Sequence, residues 1–150
     1  MGMLNLYDWV LPNQAELLVK YKDNEPLYNM ARSLWNSLDS ASIYFLATAF
    51  SVAVLLVCYY YYVYNKLSGR KYRIQHWAIW LAITAVSTFG LTMILGNAIV
   101  SSTLKELGEF ILRISLINGL YASLIYFIAS FIICNIPVST NAYRFLKISK

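Results

Sequence analysis

Residues 57–77 read VCYYYYVYNKLSGRKYRIQHW: five tyrosines in the six positions 59–64, then Lys66, Arg70, Lys71 and Arg73 with no acid among them. Such a stretch suits a reactive phenol cluster, a stacking platform for nucleic acid, or the point where a helix leaves a membrane. The flanking sequence decides. Residues 40–65, 74–104 and 114–143 contain no Asp, Glu, Lys or Arg. Each run exceeds the roughly 20 residues that an α-helix needs to cross a bilayer core. None has a polar face wide enough to meet water. The sequence therefore predicts an all-α membrane protein with three transmembrane helices plus an N-terminal amphipathic helical segment. Tyrosine favours the membrane–water boundary, where its ring is apolar and its hydroxyl stays wet. With about 100° between successive helical residues, Tyr59, Tyr60, Tyr61 and Tyr62 are expected to ring the end of the first span. Tyr72, Trp77 and Trp80 extend this collar onto the second.

Composition agrees with this class: of 150 residues, 59% are hydrophobic and only 13% charged, for a net charge of +5. The charges also predict orientation, because Lys and Arg near span ends stay on the cytoplasmic side. The loop after the tyrosines carries four bases, and the tail beyond residue 135 adds Arg144, Lys147 and Lys150 with no acid. In residues 1–42, Lys20, Lys22 and Arg32 are outweighed by Asp8, Glu16, Asp23, Glu25 and Asp39. The connection 101–113 balances Lys105 and Arg113 against Glu106 and Glu109. Three spans then place the N-terminus outside and the C-terminus in the cytoplasm. The opening residues lack the basic start and uninterrupted apolar core of a secretory signal, so the first span is expected to act as its own uncleaved signal.

Residues 1–42 form the extracytoplasmic amphipathic segment, 43–138 the transmembrane domain and 139–150 a basic cytoplasmic tail. Leu27, Tyr28, Ala31, Leu34, Trp35 and Leu38 fall on one helical stripe, opposite Asn29, Arg32, Ser33, Asn36 and Ser37. Asn24 or Asp23 suits the cap and Pro26 the first turn. No Gly or Pro occurs between Leu27 and Leu67, so this helix has the means to run unbroken into the first span. A weaker helix at about 12–22 precedes it. Thr103 and Glu106 make a capping box that would start the third helix near Leu104, and Pro137 stops it.

Catalytic patterns are sparse. The chain has one histidine, His76, and two cysteines, Cys58 and Cys134. No metal site, cofactor or enzyme activity is expected from this set. Lys105 and Arg113 are expected to pair with Glu106 and Glu109 along the helix. Thr84, Thr88 and Thr92, with Gly96 next, form an i+4 row on the second span. Such a row suits pore lining or, the commoner use, a close-packing face whose hydroxyls bond their own backbone. On the third span Asn118, Ala122, Tyr126 and Ser130 form one row, with Ser115, Gly119 and Ser123 in another. An amide in hydrocarbon needs a partner, so Asn118 is expected to face protein or water.

Three spans do not easily enclose a water-filled path in one copy. The expectation is therefore a homo-oligomer in the lipid bilayer, forming a gated ion-conducting pore. Thr84, Thr88, Thr92, Asn118 and Ser123 would line it, and Glu106 and Glu109 would ring its outer vestibule. Lys66, Arg70, Lys71, Arg73 and His76 would bind a cytoplasmic regulatory protein, nucleotide or nucleic-acid ligand, with topology alone as the simpler reading of these bases. The alternative is a non-conducting membrane subunit or scaffold, which would bury its Thr and Ser rows against other proteins. In plan (three spans, a basic cytoplasmic side, no enzyme motif) the chain resembles small multi-pass membrane effectors of bacterial phage-defence systems. It is similar in a looser way to three-span phage holins. The first resemblance implies an antiviral effector of the bacterial inner membrane.

Overall fold

The computed structural model describes residues 3–7, 9–64, 74–100, 102 and 104–135. A 3-10 turn at Met3–Tyr7 leads into α1 (Gln14–Lys20) and α2 (Glu25–Cys58), which continues as a π-helical turn at Tyr59–Val63. Two further helices follow, α3 (Ile74–Ile99) and α4 (Glu106–Asn135), and no strand occurs among the described residues. Three stretches are long and apolar enough to cross a membrane: Glu25–Val63, Ile74–Ile99 and Glu106–Asn135.

The helix starts have local causes. The Asn24 side chain accepts a hydrogen bond from the Leu27 amide at 3.3 Å, and Pro26 occupies the first turn of α2, where no intrahelical N–H is needed. With no Gly or Pro to interrupt it, α2 passes the 42/43 boundary unbroken, so the expected amphipathic segment and the first long apolar stretch are one helix. Together with the π-helical turn it makes a stretch of 39 residues, about 58 Å at 1.5 Å per residue, nearly twice the roughly 30 Å hydrocarbon core. Ahead of α4, the Leu104 amide donates to the Ser102 hydroxyl at 3.2 Å. Thr103, proposed for the capping box, lies outside the described residues, as do Lys66, Arg70, Lys71, Arg73, Tyr72 and the tail 136–150.

Packing follows four-residue rows on all three long helices. In α2 the buried row is Ala41, Phe45, Ala49, Ala53 and Val57. In α3 it is Thr84, Thr88, Thr92 and Gly96, and in α4 Asn118, Ala122, Tyr126, Ser130 and Cys134. The contacts of α3 with α4 run along both helices, from Trp77 on Ser130 at one end to Gly96 on Ile111 at the other. The approach of α3 to α4 is close. A Cβ on Gly119 would lie 3.2 Å from the Ala85 carbonyl oxygen, and one on Gly96 would lie 2.9 Å from Ile111 Cγ2.

Side-chain size is graded along the bundle. Small Ala49, Ala53 and Ala122 meet at its middle. One end is filled by Leu4, Tyr7, Leu11, Leu34, Leu38, Phe45 and their neighbours, including Phe110 and Ile114. Aromatics fill the other: Tyr60, Tyr61, Trp77 and Tyr126 with Val57 and Cys134. The tyrosine run is thus only half a collar. Tyr59 and Tyr62 are exposed, whereas Tyr60 and Tyr61 are fully buried, because they extend the inward stripe of Ala53 and Val57. Tyr61 hydroxyl and Cys134 Sγ are 3.1 Å apart, and Tyr60 stacks edge-on against Tyr61 with ring centroids 4.9 Å apart.

Candidate functional site

The most connected buried polar group is Asn118, midway along α4 and fully shielded from solvent. Its Nδ2 donates to the Phe45 carbonyl of α2 at 2.9 Å and to Thr92 Oγ1 of α3 at 3.1 Å. Its Oδ1 accepts the Tyr7 hydroxyl at 2.6 Å. One amide thereby joins all three long helices to the N-terminal turn. In an apolar interior such an amide costs several kcal/mol if left alone and contributes modestly when satisfied, which makes full partnering the requirement.

Tyr7 reaches this node because residues 3–7 and 9–21 fold over one end of the bundle. Leu4, Tyr7, Leu11 and Leu17 are buried beneath that cover. Polar contacts hold its rim to α4. The Tyr121 hydroxyl donates to the Leu6 carbonyl at 2.7 Å, and Arg113 Nη1 to the Val10 carbonyl at 2.8 Å. Lys20 Nζ lies 2.6 Å from Glu106 Oε1, which also accepts the Tyr21 hydroxyl. The Glu106 carboxylate beside them raises the pKa of both Lys20 and Tyr21. Burial raises the Tyr7 phenol as well, keeping it a hydrogen-bond donor throughout the ordinary pH range.

A cleft of about 430 Å³ opens beside this rim, lined by Trp9, Glu16, Lys20, Glu106, Glu109 and Arg113 among others. Glu109 pairs with Arg113 one turn along α4, as the spacing predicts. Glu106 does not take its neighbour Lys105 as partner. It takes Lys20, 86 positions away, because the cover brings α1 across the start of α4. The two carboxylates proposed for a vestibule are therefore engaged within one chain. Among the described residues no three His, Cys, Asp or Glu side chains gather as a metal site would require.

No protein-family model, curated protein or solved structure matches this chain. Its reading rests on its own geometry.

The polar rows point into the single-chain bundle. Thr84, Thr88 and Thr92 are wholly buried between helices. Thr84 Oγ1 donates to the Trp80 carbonyl at 2.9 Å, Thr92 accepts from Asn118, and the Thr88 hydroxyl has no hydrogen-bond partner. Ser123 is half-buried and its hydroxyl donates to the Gly119 carbonyl at 2.8 Å. His76 sits half-buried in the first turn of α3. Sequence spacing found Asn118 and Thr92 but missed Tyr7, the Phe45 carbonyl and Lys20. The one available signal was the need of Asn118 for a partner, which leaves the partner's identity open.

Proposed function

We propose that this chain is a non-conducting membrane subunit, a small scaffold whose three spans carry a folded cover at one membrane surface for other proteins to use. The observation that carries this reading is the complete burial, within a single copy, of Thr84, Thr88, Thr92 and Asn118. These are the side chains a homo-oligomeric pore would need to turn toward water. What the spans turn outward instead is apolar: Ile79, Ile83, Val86 and Ile94 on α3, and Leu116, Leu120, Leu124 and Ile128 on α4. A surface of that kind suits lipid or the apolar flank of another membrane helix, and gives ions no favourable path.

Flux from liposomes holding the purified chain alone tests the proposal. Leakage of K⁺ or of a small dye should match that of protein-free liposomes. Leakage that rises with protein content and falls in Thr88→Leu would overturn it in favour of the gated pore.

A further inference from the structure

Along the α2/α3 seam, two grooves of opposite character lie end to end. The upper one, about 520 Å³, is lined by Asn29, Arg32, Ser33, Asn36, Ser37 and Ser40, with Ile99 as its apolar wall. The lower one, also about 520 Å³, is lined by Tyr44, Ala47 and Ser51 of α2 and by Leu91, Ile94 and Ala98 of α3. Ser40 and Tyr44 are one helical turn apart, and Ile99 adjoins Ala98, so the polar groove gives way to the apolar one on the same face. The change falls where the charge-free run 40–65 begins.

We infer that this composite groove binds one anionic phospholipid, its phosphate on Arg32 and the surrounding amides and hydroxyls, its acyl chain between Tyr44 and Ala98. Arg32 is exposed and, among the described residues, forms neither an ion pair nor a hydrogen bond. It is the sole charge in the upper groove, so the complement is a single negative charge. The neighbouring Ser and Asn side chains supply further donors, and a phosphodiester has several acceptor oxygens for them. A soluble phosphate would use the upper groove only. The lower groove extends eight residue steps along α2, from Tyr44 to Val52, about 12 Å, most of one leaflet of a core roughly 30 Å thick.

Native mass spectrometry of the full chain in detergent, with phosphatidylglycerol or phosphatidylcholine added, tests the site. The parent should retain one phosphatidylglycerol, in preference to phosphatidylcholine. Arg32→Gln should weaken that retention about fivefold, the effect of one cation near an anionic lipid, and Arg32→Lys should restore most of it. Ala47→Phe, which fills the lower groove, should reduce retention of both lipids. Both positions are exposed, and unchanged circular dichroism would verify that the fold persists. Three results would each overturn the inference: equal retention by parent and Arg32→Gln, displacement of the lipid by millimolar glycerol phosphate, or a lipid-free dimer that cross-links through Ala47→Cys.

Discussion

Replacing Tyr7 by Phe removes one oxygen atom and leaves the ring in place. In the parent that hydroxyl lies 2.6 Å from Asn118 Oδ1, and both residues are fully buried. Without it, Oδ1 becomes a buried acceptor with no donor, while Nδ2 keeps Phe45 and Thr92. Stranding a buried polar atom costs about 1–3 kcal/mol. That cost is felt when the cover is seated and is relieved when it lifts and water reaches Asn118. The open population of the cover should therefore rise about 5- to 150-fold. Amide hydrogen exchange reads this directly, since the Val10 and Leu11 amides both donate to the Tyr7 carbonyl at 2.9 Å. In Tyr7→Phe their exchange should accelerate by that factor, while amides at the middle of α4 near Ala122 hold their rates. Starting from Asn118→Ala, the same substitution should leave exchange unchanged or slow it, because the acceptor is already gone and the Tyr7 hydroxyl is then the group without a partner. Unchanged exchange at Val10 and Leu11 in Tyr7→Phe would refute the argument that this hydrogen bond latches the cover.

The close approach of α3 and α4 predicts opposite signs for two similar substitutions. Gly119→Ala forces a methyl against the Ala85 carbonyl and should destabilise the bundle by about 1–3 kcal/mol, whereas Gly90→Ala meets open space and should stabilise it by up to about 1 kcal/mol. Thermal unfolding in detergent measures both. The Lys20–Glu106–Tyr21 clasp depends on two donors whose pKa values lie above their usual 10.5 and 10.0. The donors' part of it is present at neutral pH, complete below those values, and lost as pH rises through the raised ones. A fluorophore on Glu16→Cys, in a background without Cys58 and Cys134, should gain mobility in that alkaline window, and again in strong acid, where protonation removes the Glu106 charge that both donors bind. The charge distribution predicts that Lys22→Cys and Ser68→Cys react with impermeant maleimide from opposite sides of the membrane, Lys22→Cys from outside. Reaction of both from one side would break the three-span reading.

The architecture was legible where chemistry repeats with a period. Charge-free runs marked the three long apolar helices, and the absence of Gly and Pro after Leu27 left α2 free to run on as a single helix. The four-residue spacing of Thr84, Thr88 and Thr92 marked a face of α3, but pore lining and packing share that spacing, so its direction was open. The cover left no comparable trace. Tyr7 lies in a short 3-10 turn with no helical stripe to reveal an inward side, and its partner is 111 positions away. Likewise the Lys20–Glu106 pair was hidden behind the nearer choice, Lys105. The tyrosine run was read as a ring because its residues are consecutive. Tyr60 and Tyr61 turn inward because the stripe of Ala53 and Val57 continues through them.

That stripe has a mechanical consequence. From Ala31 to Tyr61 the buried line of α2 advances through Leu34, Leu38, Ala41, Phe45, Ala49, Ala53 and Val57. From Ala31 to Val57 the 26 residue steps cover about 2,600° of helical rotation in seven strides, about a fifth of a turn more than seven full turns. The line of contact therefore winds around the helix like the thread of a screw. At one end it bears on the covered cluster with Phe110 and Ile114, and at the other on Trp77 and Tyr126. A rigid helix threaded in this way cannot turn at the tyrosine end without also turning beneath Leu4 and Leu11. The covered cluster and the aromatic cluster are therefore coupled through a single rigid element, α2 itself.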